Sequence, residues 1–150
     1  MIVNQKNPIQ GKRRARKLAL QALYQWALSG TDLIEIEAQY RANTNMDKVD
    51  GEYFARLLHE IPRQLTTIQD ALLVFLDRPL VQVSPIELTI LRICGYELLF
   101  CPELPYKVIL DESVMLNREF GSEDGHRYVN GVLNQLAKKV RTIEIQNSKS

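Results

Sequence analysis

The fold is decided by the stretch SPIELTILRICGYELLF, residues 84–100. Ser84 at the N-cap, Pro85 at the first helical position and Glu87 at the third mark the start of a helix. Beyond them the stretch is apolar on almost every side, and a helix of that kind lies in the middle of a helical bundle. We therefore predict a central helix that other helices surround.

Amphipathic helices precede and follow this central helix. The first has a continuous apolar stripe at the spacing of an α-helix and ends at Gly30, and the next starts at Asp32. Pro62 interrupts a later run, which is therefore either two helices or one kinked helix. The last helix starts at Ser122, a typical N-cap residue. The pattern predicts an all-α fold, a compact bundle of six or seven helices.

The chain is predicted to form one domain, 1–150, because no Gly-, Ser- or Pro-rich linker and no internal repeat divides it. The only strand-like stretch, 80–83, is too short to indicate a sheet. The ends, 1–11 and 144–150, are polar and show no periodicity. We expect both ends to be disordered.

Positive charge is concentrated near the N-terminus. The net charge of the chain is only +1, so its overall charge gives no argument for a polyanionic partner. Residues 1–17, however, contain no acidic residue and six basic ones, namely Lys6, Lys12, Arg13, Arg14, Arg16 and Lys17. A basic arm on a mildly acidic body suggests binding to a polyanion.

An aromatic residue accompanies these cations. At 100° per residue, Arg13, Lys17 and Tyr24 lie on the face of the first helix opposite its apolar stripe. Cations that neutralise phosphates beside a ring that stacks on an unpaired base would suit a single-stranded nucleic acid. The alternative is a solvated run of charges with Tyr24 packed against a neighbouring helix, and the sequence leaves both open.

A second polar face lies on the last helix. Asp124, Tyr128, Gly131 and Gln135 form a stripe away from its core side. Glycine inside a helix costs about 1 kcal/mol relative to alanine, so Gly131 indicates close approach by another backbone, for which a helix crossing within the chain is the favoured reading. Asp124 on its own is explained by the helix dipole.

The roles of the polar residues of the central helix can be interpreted in more than one way. Glu87 by default completes the capping box. Arg92 and Tyr96, one turn apart, would form a partner surface if they are exposed together. If Arg92 is buried instead, it needs a carboxylate such as that of Glu97.

Several classes of protein are excluded or disfavoured. Cys94 and Cys101 are two helical turns apart, beyond disulfide reach, and we expect them to be small buried residues in a reducing cytoplasm. No apolar run is long enough to span a membrane, and no secretory signal is present. His59 and His126 have no partners at metal-ligand spacing, and we find no phosphate-binding loop and no nucleophile motif. We expect a cytoplasmic protein that is not an enzyme and has no cofactor or metal.

Three segments together resemble the NusB family of bacterial transcription antitermination factors. They are RRARKLALQALYQW (13–26), IELTILRICGYELLF (86–100) and PYKVILDESVMLNREFGSEDGHRYVNGVLNQLAKKV (105–140). The third is the most specific, and weaker similarity covers essentially the whole chain. The resemblance implies an all-helical fold of two packed helical subdomains. It also implies a non-enzymatic protein that binds single-stranded boxA RNA of ribosomal-RNA leaders as a heterodimer with the ribosomal protein NusE. That complex would join RNA polymerase and other Nus factors and suppress termination.

The resemblance also implies the site residues. Those expected to bind RNA are Lys12, Arg13, Arg14, Arg16, Tyr24, Asp124 and Tyr128. Glu87 and Arg92 are expected to bind NusE, although the resemblance does not divide these surfaces cleanly. Two positions depart from the family pattern: Tyr128 stands where Phe is common, and Gly125 where Ser is frequent. A homodimer is also possible in such a family.

Two other hypotheses compete with an RNA-binding adaptor. Some ribosomal-RNA cytosine methyltransferases have a NusB-like N-terminal domain, but they need a cofactor-binding α/β domain, for which these 150 residues contain no segment. The other is a helical scaffold that binds only proteins and has an incidental basic arm. Binding of boxA RNA would distinguish the adaptor from this scaffold.

Overall fold

A computed structural model describes residues 7–148 of the chain, and this part contains eight α-helices and no β-strand. The helices are α1 (Pro8–Ser29), α2 (Leu33–Asn43), α3 (Gly51–Arg63), α4 (Leu65–Leu73), α5 (Pro85–Phe100), α6 (Tyr106–Phe120), α7 (Glu123–Val140) and α8 (Thr142–Ser148). The all-α prediction is confirmed. The strand-like stretch 80–83 is instead a short 3-10 turn, Leu80–Gln82. None of the described helices is long and apolar enough to cross a membrane.

The chain divides into two compact units, with the boundary between Arg63 and Gln64. In the N-terminal unit, α1 packs against α2 and α3. In the C-terminal unit, α5 packs against α4, α6 and α7, as expected for a central helix. The helix start predicted for α5 is also confirmed, since Ser84 Oγ accepts a hydrogen bond from the Glu87 amide at 3.2 Å. Pro62 lies near the end of α3, so the interrupted run is two helices rather than one.

The N-terminal end of α1 corrects the prediction of a disordered segment 1–11. Residues 1–6 lie outside the described part, but the helix already begins at Pro8. Asn7 caps it, because its Oδ1 accepts hydrogen bonds from the amides of Ile9 at 3.0 Å and Gln10 at 3.3 Å. Proline has no amide hydrogen to leave unpaired at the first helical position. The basic residues from Lys12 to Lys17 therefore lie within a helix and not on a disordered arm, while Lys6 lies outside the described part.

The C-terminal end corrects the same prediction for residues 144–148, which belong to α8, while 149–150 lie outside the described part. Glu144 anchors this segment. Its Oε1 accepts a hydrogen bond from Arg141 Nη1 at 2.6 Å, and its Oε2 accepts one from the Tyr106 amide at 2.8 Å. The second bond satisfies an amide at the start of α6, which has no partner inside its own helix.

The side chain of Arg141 makes many hydrogen bonds within the C-terminal unit. It is only 7% exposed, and its guanidinium donates to the carbonyl oxygens of Leu98, Leu104 and Cys101 at 2.8–2.9 Å. The carbonyl of Glu97 accepts a fourth bond at 3.2 Å. Carbonyls in the last turn of a helix lack partners within it, so Arg141 closes the end of α5.

In the N-terminal unit, a group of polar side chains joins α2 to α3, and its carboxylate predicts how stability depends on pH. Glu37 accepts hydrogen bonds from His59 Nε2 at 2.7 Å and from Arg41 Nε at 3.1 Å. Burial raises the pKa of Glu37, but these bonds outweigh that effect and leave the pKa below its usual 4.5. A carboxylate with a lowered pKa stabilises the fold above its unfolded-state pKa, and this contribution is lost as the pH falls through the folded-state pKa.

We therefore expect Glu37→Gln to lower the free energy of unfolding by about 1 kcal/mol at pH 7, since the bonds are charge-assisted but partly exposed. The difference between wild type and variant should shrink as the pH falls below 4.5. Urea unfolding at a series of pH values measures this difference. A difference that stays constant down to pH 3 would contradict the assignment.

Candidate functional site

The four basic residues of α1 that are predicted to bind RNA differ in their accessibility to solvent. Arg14 is exposed, whereas Lys12 and Arg13 are half-buried. Lys12 Nζ lies 3.5 Å from Asp50 Oδ2 and 4.9 Å from the centroid of the Tyr53 ring. These contacts direct Lys12 without removing it from solvent, so Lys12 stays partly accessible, as do Arg13 and Arg14.

The burial of Arg16 contradicts its predicted role in binding phosphate. It is only 3% exposed, and its guanidinium carbon lies 5.6 Å from the centroid of the Tyr53 ring. The same helical face includes Leu20, one turn further on, which is also buried. Arg16 thus belongs to the packing of α1 against α3.

Tyr24 is half-buried, as are Arg13 and Lys17 on the same side of α1. Tyr24 is therefore partly open to solvent, and stacking on a base would require an accessible face of its ring. We call the set of Lys12, Arg13, Arg14 and Tyr24 the α1 surface. It consists of three cations and one aromatic residue. Arg13, Arg14 and Tyr24 lie on the side of α1 away from the core, whereas Lys12, near the helix start, lies on the side that contacts Asp50 and Tyr53.

A second set of functional residues gathers at the start of α7. Ser122 caps this helix, its Oγ accepting a hydrogen bond from the Gly125 amide at 3.1 Å, and Asp124 in the first turn is exposed. Tyr128 is half-buried, and the guanidinium carbon of Arg78 lies 4.0 Å from the centroid of its ring. Burial, and next the negative charge of Asp77, raise the pKa of Tyr128 above its usual 10.0.

Glu87 lies against this same helix start. A Cβ atom added at Gly125 would stand only 2.6 Å from the carboxyl carbon of Glu87, so the glycine leaves the space that this carboxylate occupies. The interpretation of Glu87 as only a capping-box residue of α5 is therefore incomplete, because its carboxylate also lies against the start of α7. The family-frequent Ser at position 125 would need Glu87 to move aside.

We call the set of Asp77, Arg78, Glu87, Asp124 and Tyr128 the α7 cluster. It combines one aromatic ring and one cation with three carboxylates. Carboxylates accept hydrogen bonds from the amino groups of nucleic-acid bases, and they pair equally well with basic side chains of a protein. The cluster brings Glu87, predicted to bind protein, beside Asp124 and Tyr128, predicted to bind RNA.

Arg92 matches neither of the two alternatives for the central helix. Tyr96 is buried and stacks on Phe100 with the ring centroids 5.3 Å apart, so the two polar residues do not form a joint surface. Arg92 itself is half-buried, and its Nη2 donates to the amide oxygen of Gln69 at 2.7 Å. Burial lowers the pKa of Arg92.

Gly131 corrects the prediction of a close helix crossing. An added Cβ at this position would meet no atom of the described chain within 4 Å. Helix propensity is then the main effect of a substitution, and Gly131→Ala is expected to raise the free energy of unfolding by about 1 kcal/mol.

Urea unfolding measures this gain, and Gly30→Ala serves as the control. Gly30 ends α1 with a φ of 69°, where a side chain is strained, so the control should lose about 1 kcal/mol. A loss of stability in Gly131→Ala as well would mean that another group does approach Gly131.

Sequence reasoning missed two members of the α7 cluster. Asp77 and Arg78 follow the apolar run of α4, and their sequence indicates only that a helix ends. What marks them as site residues is their interaction with Tyr128, about 50 positions away in the sequence, and no local sequence pattern predicts it. The histidines form no metal site in residues 7–148, where no cluster of three potential ligands is found.

Comparison with known proteins agrees with this architecture. The sequence model of the NusB family matches residues 13–138, which include all of α2 to α6 and most of α1 and α7. The chain belongs to the NusB family.

Individual NusB proteins match almost the entire chain. A protein of Legionella pneumophila (strain Corby) named transcription antitermination protein NusB is 64% identical over 141 residues, covering 94% of this chain and 96% of its own. The protein of the same name from Pseudomonas entomophila is 44% identical, with coverage of 92% and 83%. A solved structure of T. maritima NusB is 27% identical and superposes with a TM-score of 0.73, covering 89% of this chain and 93% of that one.

Proposed function

We propose that this NusB-family protein is a transcription antitermination factor that binds single-stranded boxA RNA of ribosomal-RNA leaders together with the ribosomal protein NusE. The observation that carries the proposal is the α1 surface, where Lys12, Arg13 and Arg14 accompany Tyr24 outside the core. The 64% identity to a transcription antitermination protein supports the biological process.

The affinity for RNA would come mainly from phosphate contacts. With Arg16 buried, the α1 surface offers three cations. Three phosphate contacts to a single strand correspond to a slope of log K against log salt of about −2. Such contacts carry no sequence information, so they would give a general affinity only.

The preference for boxA would come from bases. Tyr24 and Tyr128 are both partly accessible and each could stack on an unpaired base. The exposed carboxylate of Asp124 can accept a hydrogen bond from a base amino group.

We further propose that Glu87 and Arg92 contact NusE. The Nε of Arg92 is buried and has no hydrogen-bond partner in the described chain, and its Nη2 is bonded only to a neutral amide. A half-buried guanidinium in this state would gain from a carboxylate on a partner protein. Glu87 could pair with a basic side chain of NusE.

In this proposal the protein is an adaptor in the cytoplasm and performs no catalysis. It would hold RNA and NusE for RNA polymerase and other Nus factors. A homodimer would have to dissociate if it covers the α1 surface or the α7 cluster.

A binding titration tests the proposal. Fluorescently labelled boxA RNA and a scrambled RNA of the same composition are titrated at low salt, each with and without NusE. We expect boxA to bind more tightly than the scrambled RNA, and much more tightly when NusE is present. Absence of RNA binding under both conditions would refute the proposal and favour the scaffold that binds only proteins.

A further inference from the structure

Arg78, an exposed residue in the loop after α4, contacts Tyr128 on α7. Its guanidinium carbon stands over the Tyr128 ring, 4.0 Å from the centroid. Asp77 also holds the guanidinium, accepting from Nε at 2.8 Å and from Nη2 at 3.4 Å. Two independent contacts thus fix the position of an exposed side chain.

This arrangement contributes little net stability to the fold. The gain from an exposed cation over an aromatic ring and from an exposed ion pair is similar in size to the entropy that is lost when a long arginine side chain is ordered. Stability alone therefore gives little reason for an ordered Arg78. A ligand that uses the ordered guanidinium would benefit from its fixed position.

The position of Arg78 also determines what a ligand meets at Tyr128. The guanidinium covers one face of the ring, so a base approaching this face meets Arg78 first. Guanidinium planes stack on bases as aromatic rings do. Arginine has five N–H donors, and only Nε and one Nη2 hydrogen point to Asp77, so the remaining donors can reach a phosphate or a base edge.

We propose that Arg78 is an RNA-contacting residue and that it forms a single stacking platform with Tyr128, in which the guanidinium presents the outer face to an unpaired base. Asp77 is a positioning residue that keeps the guanidinium on the ring. This inference rests on the proposed RNA-binding function and assigns a role in it to the loop after α4.

Replacement by lysine separates stacking from charge. Arg78→Lys keeps the positive charge but loses the planar face. Base stacking is worth about 1–3 kcal/mol, so we expect boxA RNA to bind Arg78→Lys at least about fivefold more weakly, with an unchanged salt slope. Arg78→Ala should be weakened further, because it loses the positive charge as well as the planar face.

The control is Arg118→Lys, which makes the same exchange at another exposed arginine of the C-terminal unit and should bind like wild type. A double-mutant cycle of Arg78→Lys and Tyr128→Leu measures the coupling. If the two residues form one platform, the double variant should bind hardly more weakly than the weaker single variant. Melting temperatures of all variants identify any loss of folding.

The outcomes distinguish this inference from the proposed function. If wild type binds boxA while Arg78→Lys binds equally well or more tightly, Arg78 only shields the ring, and the inference is wrong although the function holds. Multiplicative losses in the double variant would likewise exclude a shared platform. If wild type itself does not bind boxA, the proposed function fails first.

Discussion

Arg141→Ala is expected to lower the free energy of unfolding by about 3–5 kcal/mol, the loss typical of breaking a buried charged network. The substitution removes the donor for four backbone carbonyls, of which those of Leu98, Leu104 and Cys101 lie within 2.9 Å of the guanidinium. It also leaves Glu144 without the cation that holds it beside α6.

Urea-induced unfolding followed by circular dichroism measures this loss. Arg118→Ala is the matched control because Arg118 is exposed, and its effect should stay within about 0.5 kcal/mol. Arg141→Lys keeps the charge and can satisfy only part of the carbonyl set, so it should fall between wild type and Arg141→Ala. This second variant provides a measurement if Arg141→Ala does not fold. A loss below 1 kcal/mol in Arg141→Ala would contradict the role assigned to the guanidinium.

The second large effect is expected for RNA binding. The double variant Arg13→Ala/Arg14→Ala should bind boxA RNA about twentyfold more weakly at 0.1 M salt, because two phosphate contacts contribute about 1.4 to the salt slope. The slope itself should change from about −2 to about −0.7. Neither side chain belongs to the buried core, so the melting temperature and the affinity for NusE should remain nearly unchanged.

The control is Lys138→Ala/Lys139→Ala, which removes two exposed cations at the other end of the chain. Its RNA affinity should fall much less, because the proposal assigns the phosphate contacts to the α1 surface. Equal weakening of both double variants would indicate nonspecific charge attraction. Parallel losses of RNA binding, NusE binding and melting temperature in Arg13→Ala/Arg14→Ala would show that the pair is structural.

Much of the fold follows from local signals in the sequence. The start of α5 has its capping residues within four positions of one another, and its apolar composition predicts its central place. The same kind of signal exists at Asn7 and Pro8, a capping residue followed by proline, but the adjacent run of charge favoured a disordered arm. Arg16 also has a visible signal, because it shares its helical face with Leu20 and Leu23.

Other features depend on contacts between distant residues and have no local pattern. Arg141 reaches carbonyls 37 to 44 positions away, so nothing around it indicates that it closes the end of α5. Arg78, in the loop after α4, is explained only by its contact with Tyr128 on α7, 50 positions away. Gly131 shows the opposite case, in which an expected long-range contact is absent from the described chain.

We propose that RNA contacts the α1 surface and the α7 cluster through residues that the cores leave accessible. The most direct test is a titration of the isotope-labelled protein with unlabelled boxA RNA, followed by two-dimensional amide NMR. We predict that the amide signals of Arg13, Arg14 and Tyr24 shift, together with those of Arg78 and Tyr128, while most core signals stay in place. Shifts confined to other parts of the chain, or no shifts at an RNA concentration that saturates binding, would contradict this account.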